Sequence, residues 1–204
     1  MTASGWRTAA KASAATVLAG SGAGTASWAA YRHLMAQAAA ARGVIGRTTA
    51  KPPEADGVYT AGCVAPERWR LGSSADIHLM IFGDSTAAGV GCTVADEVPG
   101  VLLARGLAEE TGQRIRLSTK AIAGATSKGL EGQVDAMFVA GAPPDAAVIF
   151  IGANDVTKKF SIPASAARLG DAVERLTAKG CVVAVGPCPD LGVVTAIPQP
   201  LRTL

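Results

Sequence analysis

Histidine is scarce in this chain, net charge is small, and no cysteines stand at metal-binding spacing. The 204 residues hold two histidines, His33 and His78, and four cysteines, Cys63, Cys92, Cys181 and Cys188, with no C-x-x-C pair. That pattern excludes the common zinc sites, and no metal is expected. In an exported chain Cys63 with Cys92, or Cys181 with Cys188, can pair; buried or idle thiols fit the spacing equally. Nineteen basic against 16 acidic residues, scattered along the chain for a net charge of +3, leave no basic stripe for nucleic acid. There is no G-x-x-x-x-G-K-[ST] phosphate loop, and the Gly-rich "GSGAG" at Gly20 to Gly24 follows no strand, so no nucleotide cofactor is expected either.

What is present is apolar and small. Hydrophobic residues make up 49% of the chain, enough for a sizeable core in one domain plus an appendage. Arg7 and Lys11 precede an uncharged run from Ala12 to Tyr31, "ASAATVLAGSGAGTASWAAY", which as a helix matches the ~30 Å hydrocarbon thickness of a bilayer. Val17, Leu18, Trp28 and Tyr31 are its only large apolar side chains. Residues 1–46 are therefore read as an export signal or membrane anchor, with membrane contact through 12–31 and a place in the cell envelope; a cytoplasmic chain with a surface helix is the alternative. Residues 47–70, with "RTTAKPPEADGVYTAG", lack helical or strand period and read as a linker. The folded domain is expected over 71–204.

Within that domain strands and helices alternate. "IHLMIF", Ile77 to Phe82, is an apolar run stopped by Gly83, as a buried parallel strand would be. "PGVLLARGLAEET" places Leu103 and Leu107 at helical spacing before Gly112. Ile115, Leu117 and Thr119 alternate with Arg114, Arg116, Ser118 and Lys120, a strand with one wet face, which places it at an edge. Leu130, Val134, Met137 and Phe138 form a helical stripe that Pro143-Pro144 ends. "AAVIFIG" is a third strand; a helix with Leu169, Val173 and Leu176 and then "CVVAV" complete the series. The alternation predicts an α/β fold, a three-layer α/β/α sandwich around a parallel sheet, with ligands beyond the carboxyl ends of the strands.

Three of those ends carry Gly83-Asp84-Ser85, Ala123-Gly124-Ala125 and Gly152-Ala153-Asn154-Asp155. A serine there is suited to attack a carbonyl, and backbone N–H groups and an asparagine amide are the right types to receive the oxyanion that forms. Taken singly, Ser85 or Thr86 also fits a helix or turn cap, Asn154-Asp155 a turn pair, and Gly124 simple backbone relief. The pattern G-x-S-x-G of another serine-hydrolase fold is absent around Ser85. Taken together, "GDST" and "IGANDVT" resemble the blocks of the SGNH hydrolases, the GDSL esterases and lipases, over roughly residues 77 to 190. "GDST" stands for that family's commoner Gly-Asp-Ser-Leu, and Ala123 stands where many members carry Asn.

The resemblance implies a flavodoxin-like SGNH fold and a serine esterase or lipase acting on acyl esters of lipids or glycans. In it Ser85 is the nucleophile, Gly124 and Asn154 complete the oxyanion hole, and Asp84 and Asp155 hold their loops. It also implies a late D-x-x-H block supplying the base, and this sequence has none. His78 lies seven residues before Ser85 on one strand, about 20 Å away at 3.3 Å per residue, out of reach. The expectation is thus a chain lacking the last strand and helix of the fold, C-terminally incomplete and weak or inactive as it stands, with the fourth strand an open edge. A non-catalytic cell-envelope protein holding a small ligand in the same crevice is the alternative.

Overall fold

A computed structural model describes residues 25–41, 43–44, 51–186, 188, 190, 193 and 197–200. They fall into two compact units, one from within Met1–Arg47 and Asp190–Leu204, the other from within Thr48–Pro189. Of the described residues after Gly186, Cys188 falls in the second unit and 190, 193 and 197–200 in the first.

In the first unit residues 25–41 form helix α1. Arg32 lies 4.9 Å over the Trp28 ring, and Gln37 Nε2 donates to the Gln199 carbonyl at 2.6 Å. Of the expected signal or anchor at 12–31, residues 12–24 lie outside the described residues. No described helix is long and apolar enough to cross a membrane.

The second unit runs β1 (Gly57–Tyr59), β2 (Ile77–Gly83), α2 (Ser85–Ala88), α3 (Pro99–Thr111), β3 (Ile115–Thr119), α4 (Ser127–Ala140), β4 (Ala146–Phe150), α5 (Ala153–Thr157), α6 (Ile162–Thr177) and β5 (Val182–Gly186). The sheet order is β1-β3-β2-β4-β5, parallel except for β1. Successive residues of β2 serve opposite layers, as the two-residue period of a strand requires. Leu79 and Ile81 pack with Ala87, Val101, Ala104 and Leu117 on the α2 and α3 side. Met80 and Phe82 pack with Leu130, Val134, Ile149 and Leu176 on the α4 and α6 side. The three-layer α/β/α architecture is therefore present, with the sheet closed on both faces.

Three expectations change. Gly57–Tyr59, inside the supposed linker, is a strand: it pairs antiparallel with β3, and Val58 exchanges both backbone hydrogen bonds with Glu67 on its other side. Three residues are too few to show a period, but Tyr59 is fully buried and its hydroxyl donates to the Ala55 carbonyl at 2.6 Å. β3 is consequently an interior strand. On α3 the buried face is Gly100, Val101, Ala104 and Ala108, not the stripe of Leu103. Small residues let the helix sit close to the sheet: a Cβ on Gly100 would lie 3.1 Å from Ile81 Cγ1. β5 is the last described strand and an open edge, with Val182 and Val185 exposed.

Candidate active site

The carboxyl ends of β3, β2 and β4 are neighbours in the sheet, and their loops are bonded to one another. Gly83, the last residue of β2, is the hub. Its carbonyl accepts from Ile122 N at 3.0 Å in the loop after β3, and the next amide, Asp84 N, donates to the last carbonyl of β4, Phe150 O, at 3.0 Å. Gly83 has φ +135°, and a Cβ there would fall 1.9 Å from Phe150 O, so only glycine lets the two backbones meet. Buried Gln133 of α4 clamps the same residue, accepting from Gly83 N and donating to Gly83 O, both at 2.8 Å.

Asp84 then caps α2: its Oδ1 accepts from Thr86 N at 2.9 Å. This settles which residue is the cap. Ser85 is the first residue of α2, half-buried, and among the described residues nothing hydrogen-bonds its Oγ. Burial pushes the Asp84 carboxyl above the usual aspartate range, against the hydrogen bonds from Thr86.

Gly124 occupies the third position of a turn closed by Ala125 N to Ile122 O at 3.0 Å. Its φ is +82° while Ala123 has a negative φ, the type II arrangement, in which that position selects glycine. A Cβ at Gly124 would meet no protein atom within 4 Å, so the backbone angle, not crowding within the protein, requires glycine here. Helix α5 holds this turn in place. Asn154 Nδ2 donates to Ala125 O at 2.9 Å, and Lys158 Nζ to Gly124 O at 3.3 Å. A primary amide carries two N–H groups, so Asn154 keeps one for another acceptor.

Asp155 is buried at the base of the crevice and accepts from Ser127 N at 2.9 Å, Ser127 Oγ at 2.5 Å and Ser165 Oγ at 2.7 Å. Burial alone would raise its pKa, but these bonds to the charged form win and hold it below the usual range. One carboxylate thus joins α4, α5 and α6.

His78 sits at the opposite end of β2, its Nε2 2.9 Å from Ser118 Oγ. Burial and the nearby Arg116 lower its pKa from 6.5 to about 4. It is neutral at pH 7 and remote from Ser85, as expected from its place in the strand. The unfolded chain takes up this proton first, so stability is expected to fall as pH drops from about 6.5 to about 4. Denaturant midpoints at pH 7 and pH 4.5 check this: the His78→Gln variant should lose less stability between them than the parent.

Among the described residues no three His, Cys, Asp or Glu side chains gather as a metal site, and none of the four cysteines is in a disulfide.

Residues 81–203 match the family described as GDSL-like Lipase/Acylhydrolase. The chain belongs to that family. It is 65% identical over 181 residues to the GDSL-like esterase Rv1075c of Mycobacterium tuberculosis, covering 89% of this chain and 58% of that protein, so it spans little more than half of its relative's length. The crystal structure of AlinE4, an SGNH-hydrolase family esterase, shares the fold at 20% identity and a TM-score of 0.50, over 57% of this chain and 62% of that one. The structure of TesA aligns over 59% of this chain and 66% of its own at 24% identity and a TM-score of 0.49.

For a GDSL-family chain, the sequence pattern found the strand-end blocks and missed what supports them. Gln133 carried a signal: it stands on the apolar stripe Leu130, Val134, Met137, where an uncharged amide needs a buried partner. Ser127, Ser165 and Lys158 carried none, because their partners lie on other elements.

Proposed function

We propose that the chain carries the acyl-transfer half of a serine esterase site, in which Ser85 attacks the carbonyl of an acyl ester and is itself acylated. The oxyanion that forms is received by the Ser85 and Gly124 backbone N–H groups and by the second N–H of Asn154 Nδ2. Asp84 and Asp155 act behind them, one capping the helix that begins at Ser85, the other fixing α5. The reading is carried by the hydrogen bond from Asn154 to Ala125 O, which binds the third block to the second beside the end of β2. Preorganised donors of this kind contribute about 3–4 kcal/mol each to a transition state.

Proton transfer from Ser85 needs a base, and His78 is not it. From the oxyanion donors by themselves, without a base beside Ser85, a residual of about 10³ to 10⁴ over water is expected. Substrates are proposed to be small acyl esters of lipid or glycan alcohols, and the leader at 12–31 to export or tether the chain. An alkyl fluorophosphonate tests the reading. Slow labelling is expected on the peptide that contains Ser85 and none on the Ser85→Ala variant; labelling that survives the substitution would overturn it.

A further inference from the structure

On the α4 side of the sheet, away from Ser85, β3 presents Arg116 and Ser118, and Lys120 follows them at the same two-residue spacing. The register pairs His78 of β2 with Arg116 and Met80 with Ser118. With Met137 and residues 140–142 at the end of α4, these side chains line a cavity of about 140 Å³. Its wall holds two permanent cations, a hydroxyl and an imidazole, and no carboxylate.

Arg116 is built in, not dangling. Its guanidinium lies 4.1 Å over the Trp69 ring, and its Nε is buried with no hydrogen-bond partner. A buried donor left unpaired costs about 1–3 kcal/mol, so the arrangement is unfavourable unless something accepts from it. The nearby carboxylates are already engaged by backbone: Asp145 Oδ2 accepts from His78 N at 2.7 Å and Asp56 Oδ1 from Thr119 N at 2.9 Å. Burial and the neighbouring Arg116 keep His78 neutral, so the positive charge comes from Arg116 and Lys120. The C-terminus of α4 at the rim contributes about half a negative charge, against two whole positive ones.

We infer that this cavity binds a phosphate-class oxyanion, as free phosphate or as the phosphate of a small monoester, between Arg116, Lys120 and Ser118. A guanidinium fork held flat by an aromatic ring matches such an anion with directed N–H donors, and Lys120 adds a point charge. The site is independent of the esterase reading and does not include any residue of it.

The test is a titration of the ¹⁵N-labelled chain with inorganic phosphate, and separately with glycerol 3-phosphate, at ionic strength held constant with potassium chloride. The Arg116 Nε–H resonance and the Ser118 amide should shift and saturate with at least one of them, the tighter naming the source. Lys120→Gln, a change just past the end of β3, should weaken that binding at least about tenfold while the folded spectrum is kept, and Arg116→Gln should abolish it. Shifts that follow total salt without saturating, or affinity unchanged in Lys120→Gln, would overturn the inference.

Discussion

Replacing Gly83 by alanine is expected to cost about 2–6 kcal/mol of folding stability, a large part of the roughly 5–15 kcal/mol a domain possesses. Two terms contribute. The residue holds φ +135°, strained for any side chain, and its Cβ would lie 1.9 Å from Phe150 O, a backbone atom that cannot step aside. Moving it breaks the Asp84 N to Phe150 O hydrogen bond and releases Ile122 and Gln133, so the crevice loosens as the fold weakens. Gly91→Ala is the control, because Gly91 also has a positive φ, +102°, but its Cβ would meet nothing within 4 Å. Thermal unfolding should place Gly91→Ala about 1–2 kcal/mol below the parent and lower the midpoint of Gly83→Ala on the order of 10 °C. Equal losses in the two variants would mean that the collision with β4 is relieved at no cost.

Asp155→Ala is expected to cost about 3–5 kcal/mol, because it strands the buried Ser127 amide and hydroxyl and leaves the half-buried Ser165 hydroxyl without its acceptor. Asp155→Asn should cost less, since its carbonyl still accepts and the hydroxyls can rotate to meet the amide. The charge itself shows in the pH dependence. The folded carboxyl titrates below its ordinary 3.8, so its contribution is complete above that pH and is lost as pH falls through the lower folded value. Urea midpoints from pH 7 to pH 2.5 should show a loss below about pH 4 in the parent that is smaller in Asp155→Asn. Asp84 acts in the reverse sense: its folded pKa is raised, so its burial costs nothing below about 3.8 and appears as pH rises through the folded value. A profile in which Asp155→Asn tracks the parent would show that the Ser127 and Ser165 bonds do not depend on charge.

The architecture was legible because β2, β4 and β5 are short apolar runs punctuated by glycine, and because α4 and α6 carry their large apolar residues on one stripe. It failed where size replaced periodicity: α3 meets the sheet through Gly100, Ala104 and Ala108, which have too little side chain to register as a hydrophobic face. β1 was invisible for a related reason, a three-residue strand whose claim to the core rests on Tyr59. At the crevice, Ser85, Gly124 and Asn154 were readable from their positions after strands. The bonds that order them, Gln133 to Gly83 and Asp155 to Ser127 and Ser165, span from 10 to 50 residues and leave no local trace. For Gly124 the backbone relief open to it in the sequence takes a definite form, a turn angle of φ +82°.

The most direct measurement is a crystal structure of the chain after reaction with an alkyl phosphonate, whose tetrahedral phosphorus stands in for the acyl adduct. The account predicts phosphorus bonded to Ser85 Oγ, with one phosphoryl oxygen about 2.7–3.1 Å from Ser85 N, Gly124 N and Asn154 Nδ2. An adduct whose oxygen points to solvent, with Gly124 N and Asn154 Nδ2 out of hydrogen-bond reach, would contradict it.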